Sequence, residues 1–247
     1  MKSFLSVFFS LIIVGAFAQQ YEIPSAMPRE QQVKHQMFTL SYNEGYELPS
    51  WAAYRLTAEQ AKATGTYKEK YIEDPLVTTG SASVKDYKDA GFIMGQLVPP
   101  EDLVISPAAA QETFLTSNTV PHKPVFNKNI WKKLELLVRE WAKEGNTLYI
   151  ACGPVLTDAP FGTFGPNKIS IPLRYYKVVL DVSGERAIGF VFRNNLATGS
   201  LKAYAISVDE VEKITGIDFF PDLEDGLEER AEASTDFSKW NFKALEQ

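Results

Sequence analysis

Hydrophobic positions change their period several times along this chain, and each change marks an element. Between 130 and 141 apolar side chains recur at three- and four-residue spacing (Ile130, Trp131, Leu134, Leu137, Val138, Trp141), which predicts one buried helix face. Asn127 stands where an N-cap is favoured, and Gly145-Asn146 supplies a stop. β-Branched and aromatic residues at 34–42 and 51–57, on either side of the turn-rich Asn43-Glu44-Gly45, predict two strands. The apolar run 147–152 predicts a buried strand, and 175–181 and 187–192 predict two more around Ser183-Gly184. Ser207 with Glu210 three residues on has capping-box spacing and predicts a helix over 207–215. The stretch 64–88 reads as mostly loop. Pro99, Pro100 and Pro107 make the following stretch irregular, with a short helix at 108–112. No internal repeat or linker breaks the pattern, so the expectation is one α+β domain, a central mixed or antiparallel sheet flanked by helices.

The first residues follow a different logic. Lys2, an apolar run over 4–14 and the Ala16-Phe17-Ala18 triplet have the layout of a secretory signal peptide cut after Ala18. The run is short for a membrane span, which needs about 20 residues. The expected organisation is therefore a signal peptide at 1–18, a flexible polar leader at 19–33, the folded domain at 34–225 and an acidic tail at 226–247. The expected destination is extracellular or periplasmic.

Charge sharpens the division. The formal net charge is −6, and residues 218–247 alone hold nine acidic and three basic side chains, leaving the rest of the chain close to neutral. No global basic footprint marks a polyanion binder. The tail is expected to be a solvated, partly disordered segment. The single cysteine, Cys152, excludes an internal disulfide and falls in an apolar run, where a buried inert thiol is expected. With only His35 and His122 available, a Cys/His zinc site is excluded.

The candidate chemistry lies between Tyr87 and Arg139. Residues 87–99 read YKDAGFIMGQLVP, 117–122 read SNTVPH and 127–135 read NKNIWKKLE. These resemble the active-site stretch of the DNA/RNA non-specific endonucleases, the secreted ββα-metal nucleases. That family's pattern is Y-x-x-(S/A)-G-(Y/F)-D-R-G-H-L-x-P, then S-N-x-x-P-Q, then N-x-x-x-W-x-x-L-E. Further similar runs are Ala151-Cys152-Gly153-Pro154-Val155, Ile171-Pro172 with the YYK of Tyr175-Tyr176-Lys177, and the helix and turn from Val211 to Pro221. The resemblance implies a ββα-metal nuclease fold over about 34–225, a Mg²⁺ or other divalent cofactor, and DNA or RNA as partner.

The resemblance also implies roles. Asn127 corresponds to the metal-ligand asparagine; read locally, it is an N-cap. Glu135 corresponds to an acid that holds metal-bound water, and Arg139, four residues on, to a group facing both Glu135 and the phosphate. Arg55 corresponds to an arginine near the scissile phosphate, or else is a strand-edge charge. Asn118 corresponds to a supporting asparagine, or else is a turn residue. The departure is the Asp-Arg-Gly-His tetrad, which here is Ile93-Met94-Gly95-Gln96. Gln96 stands where the family's general-base histidine would be, and a carboxamide does not titrate near neutrality. General-base catalysis contributes about 10²–10⁴-fold, so the expectation is weak or lost phosphodiester hydrolysis. Two alternatives stand beside it. One is an active endonuclease using His122, which occupies the family's glutamine position and could be half of a swapped pair, or a metal-bound hydroxide. The other is a non-catalytic binding module. His122 itself otherwise reads as a partly exposed loop residue.

Overall fold

The structure is a computed structural model that describes residues 19–195 and 198–245; the signal sequence expected over 1–18 lies outside the described residues. Three strands come first: β1 (Gln31–Lys34), β2 (Phe38–Asn43) and β3 (Leu48–Leu56). Helix α1 (Ala58–Lys62) follows, started by Thr57 in a reciprocal capping box with Gln60. After a long irregular stretch come β4 (Ile93–Gln96), α2 (Pro107–Glu112) and β5 (Thr119–His122). The longest helix is in three parts, α3 (Pro124–Phe126), a π-helical turn (Asn127–Trp131) and α4 (Lys132–Lys143). Then come β6 (Leu148–Pro154), the small β7 (Thr163–Phe164) and β8 (Ile169–Ser170), β9 (Arg174–Asp181), β10 (Arg186–Arg193) and β11 (Ala205–Ile206). Helices α5 (Val208–Thr215) and α6 (Asp225–Glu232) close the chain.

The central sheet has seven strands in the order β1-β2-β3-β6-β9-β10-β11, and every adjacent pair is antiparallel. Strand alternation sorts its side chains onto two faces. Ala52, Tyr54, Cys152, Tyr175, Val179 and Phe190 join a core with Trp131, Leu134 and Trp141 of the long helix. Trp51, Ala53, Ala151, Tyr176 and Val178 join a second core with Val208 and Val211 of α5 and Ala231 of α6. The β4–β5 hairpin pairs outside the sheet, in the register Ile93↔His122, Met94↔Pro121, Gly95↔Val120, Gln96↔Thr119.

Several expectations need correction. Helix 124–143 begins one turn earlier than expected: Pro124 occupies its first turn, which suits a residue with no N–H to leave unpaired. Asn127 is thus inside the helix, not its N-cap. The Ser207 cap of α5, by contrast, is as expected, with its hydroxyl accepting from the Glu210 N–H. The leader 19–33 is not free: Tyr21 packs edge-on against Tyr149, the Ser25 N–H donates to the Asp218 carbonyl, and 31–33 belong to β1. The acidic tail is likewise docked. It forms α6, and Trp240 is buried against Trp141 with the Arg186 guanidinium 4.3 Å from its ring.

Candidate active site around the β4–β5 hairpin and the long helix

Two strands and the start of a helix meet here. Asn127 is partly exposed in the π turn, and its Oδ1 lies 3.1 Å from His122 Nδ1. That spacing follows from chain geometry, since β5 ends at His122 and the helix begins two residues later. His122 is not a loop residue. Its ring is fully buried between Phe126, Trp131 and Tyr175. It also lies flat on Gly95, where a Cβ would fall 2.1 Å from His122 Nδ1, so only glycine fits there. Burial pushes the imidazole down to about 3, against the raising effect of the Asn127 contact. The neutral ring therefore donates from Nδ1 to the Asn127 amide oxygen, and its Nε2 is buried without a partner.

Gln96 points elsewhere. Its Nε2 donates to the Thr113 carbonyl (2.9 Å) and approaches Thr113 Oγ1 (3.3 Å). In the hairpin register Gly95 and Val120 share the face that carries His122, whereas Gln96 and Thr119 project to the other. The two residues of the imagined histidine–glutamine swap thus sit on opposite sides of the hairpin. A buried ring facing away from position 96 does not stand in for a base there.

Asn118 ends a 3₁₀ turn, Thr116–Asn118, in keeping with its turn reading, and its side chain also acts as a tie. It is fully buried, its Nδ2 donates to the carbonyls of Val98 and Thr113, and its Oδ1 accepts from the Val98 N–H. It ties the segment after β4 to the segment before β5 and shares the Thr113 carbonyl with Gln96.

On the long helix the i, i+4 series Asn127, Trp131, Glu135, Arg139 faces inward. Trp131 Nε1 donates to the Gln96 carbonyl at 3.4 Å, which locks the helix to β4. Glu135 is 9% exposed, and burial pushes its carboxyl up to about 8, partly offset by Lys177. Arg139 does not pair with Glu135. Its Nε donates to Asp102 Oδ1 at 2.7 Å, and Asp102 also accepts from the Tyr54 hydroxyl at 2.8 Å. Burial raises the Asp102 carboxyl and the Arg139 guanidinium works against it. Lys177 is buried beneath the same helix, its Nζ 4.9 Å from the Trp131 ring centroid.

Arg55 is not brought to this site. Tyr54 faces the long helix, so its neighbour Arg55 projects to the opposite side of the sheet with Ala53, close to Glu22 and Tyr149. The sequence reading also missed residues that matter. Asp102, Lys177 and Asn194 build the site's support. Asn194 receives the Lys123 N–H and donates to the Pro121 carbonyl, pinning the strand–helix corner. Lys123, Lys128, Lys132 and Lys133 form an exposed basic stripe around Asn127, and a groove of about 710 Å³ opens beside Lys123, with Phe161 and Arg193 on its walls. The cluster of lysines in 123–133, with no acid among them, was the signal that could have disclosed the stripe.

The donor set fits a mostly hydrated hard cation. The Asn127 amide oxygen has two lone pairs, of which His122 takes one, and it stands at a solvent-accessible position. Mg²⁺ keeps several waters and needs few protein oxygens.

The sequence matches the DNA/RNA non-specific endonuclease family over residues 19–226, and the chain belongs to that family. It is 28% identical over 218 residues to a nuclease of Nostoc sp., covering 83% of this chain and 78% of that protein. It is 29% identical over 203 residues to the mitochondrial nuclease EXOG of Danio rerio, covering 75% of this chain and 59% of the longer relative. A chain in the crystal structure of the EndoG/EndoGI complex superposes with a TM-score of 0.74 at 21% identity, over 83% of this chain and 90% of that one. The fold is that ββα-metal nuclease fold.

Proposed function

We propose that this protein is a secreted, nucleic-acid-binding member of the endonuclease family in which phosphodiester hydrolysis is weak or lost. The observation that carries the reading is Gln96. Where the family pattern has a titratable base, a carboxamide is held on the Thr113 carbonyl. It can orient a water but not take its proton. Asn127 would hold Mg²⁺, with Glu135 reaching it through water. The ion, when bound, would neutralise charge developing on the phosphate. The chain's own residues do the rest. His122 orients the Asn127 oxygen, and Trp131 fixes the helix against β4. The lysine stripe would attract the phosphate backbone without reading sequence. Secretion rests on the signal-like layout of Lys2, the apolar run and Ala16-Phe17-Ala18.

The test is Mg²⁺-dependent nicking of supercoiled plasmid by residues 19–247, compared with Gln96→His and Asn127→Ala. In Gln96→His one ring nitrogen can donate to the Thr113 carbonyl, leaving the other basic. The native chain is expected to be near background and Gln96→His about 10²–10⁴-fold faster. Native nicking that disappears in Asn127→Ala would overturn the loss of catalysis. Binding is tested separately: Lys128→Ala and Lys132→Ala should each reduce the salt slope of DNA affinity by about 1.

A further inference from the structure

On the far side of the sheet, away from Asn127, three carboxylates converge. Asp209 and Glu212 lie three residues apart on α5, and Glu232 ends α6. One oxygen from each lies within 4.8 Å of the other two. No lysine or arginine pairs with any of them among the described residues, although four lysine or arginine ion pairs occur elsewhere among those residues. Glu232 is only 5% exposed, and its Oε1 is buried with no hydrogen-bond partner. That is the independent sign of a missing ligand. Unpartnered carboxylate oxygens are costly to bury, and native folds rarely leave them so without an ion or water. Glu212 uses Oε1 to accept from the Phe219 N–H, which fixes its carboxylate in place.

We propose that Asp209, Glu212 and Glu232 bind a divalent cation of the calcium type, which clamps α6 onto α5. The chemistry selects a hard, oxygen-seeking ion, because every donor is a carboxylate. The donor set favours calcium over magnesium. Calcium takes about six to eight oxygen ligands in flexible geometry and gives up water for carboxylates, whereas magnesium dehydrates reluctantly and seldom sits in an all-protein cage. In the cation-free chain burial and the neighbouring acids, Asp218 and Glu228 included, push Glu212 up to about 7 and Glu232 up to about 9. The bound ion relieves that crowding and ties the acidic C-terminal segment, through Ala231 and α6, to the core behind β10.

The experiment is a calcium titration of the chelator-stripped chain at neutral pH, by calorimetry and thermal unfolding. It uses the native protein, Asn127→Ala and Glu232→Gln, with magnesium as the comparison ion. The native chain and Asn127→Ala should bind calcium equally, and unfold about 4 °C or more higher at twenty-fold excess over Kd. Glu232→Gln should unfold no lower than native without calcium and gain nothing from it. If Glu232→Gln fails to fold, Asp209→Asn, at a partly exposed position, should weaken calcium affinity at least about tenfold. Absence of calcium binding by the native chain would overturn the proposal. So would a shift lost in Asn127→Ala, or native affinity retained in the Glu232→Gln or Asp209→Asn variant.

Discussion

The two faces of the central sheet bury polar groups by opposite rules. Beneath the long helix, Asp102 is met by the Arg139 guanidinium and the Tyr54 hydroxyl, and Lys177 lies over the Trp131 ring near Glu135. Both signs of charge are present within one layer. Behind β10, Asp209, Glu212 and Glu232 gather with no cation among the described side chains. The difference teaches that burial alone does not say how a carboxylate is stabilised. In the first cluster Asp102 is closed by its own partners and resists their removal, while Lys177 meets aromatic faces and no hydrogen-bond acceptor. The other is open, and without a cation its crowding already favours a neutral Glu232.

The largest expected effect breaks the closed cluster. Asp102→Ala leaves Arg139, whose side chain is 12% exposed, without its partner and Tyr54 without its acceptor. Breaking a buried pair from one side costs about 3–5 kcal/mol. Urea denaturation should show this as a lowered midpoint at nearly constant slope. An Asp102→Ala protein as stable as the native would remove the contrast between the faces. In the open cluster, Glu232→Gln should have the opposite sign or none when no calcium is present.

A smaller, pH-dependent effect belongs to His122. Its folded pKa is held at about 3 by burial, below the ordinary value of 6.5. The unfolded chain therefore binds a proton that the folded chain excludes between those values. The associated stability is present above pH 6.5 and is lost as pH falls towards 3, at up to about 1.4 kcal/mol per unit. His122→Gln should flatten that acid limb in thermal melts between pH 6.5 and 4. An unchanged limb would mean that the ring takes up its proton without leaving its place.

Much of this architecture was legible, and the failures have physical causes. The strands after residue 147 and the apolar face of the long helix follow from periodicity, because one side of each is fully buried. The helix start was not legible: Lys123 is no capping residue, Pro124 reads as a break, and Asn127 imitates a cap three residues inside. The leader and tail read as free because their anchors are sparse. Tyr21 is a single aromatic in polar surroundings, Phe237, Trp240 and Phe242 are aperiodic aromatics among polar and charged residues, and β1 is a polar edge strand, QQVK. The Asp102–Arg139 pair joins residues 37 apart, which no local pattern reveals. Gln96, Asn118, His122 and Asn127 could be singled out from motif spacing, but not the faces they occupy.

The smallest expected effect concerns Arg55, where motif and period disagree. Motif spacing placed it near the phosphate, whereas strand alternation places it beside Ala53, since Tyr54 points to the long helix. Arg55 is exposed and forms no ion pair among the described residues. Arg55→Ala should therefore change stability by no more than about 0.5 kcal/mol. Introduced into Gln96→His, it should leave the nicking rate within about twofold, because a side chain across the sheet contributes nothing to the transition state. A fall of about tenfold or more, about 1.4 kcal/mol in barrier, would show that nucleic acid wraps the edge of the sheet to reach this face. The asymmetry between the faces would then be one of charge and no longer one of function.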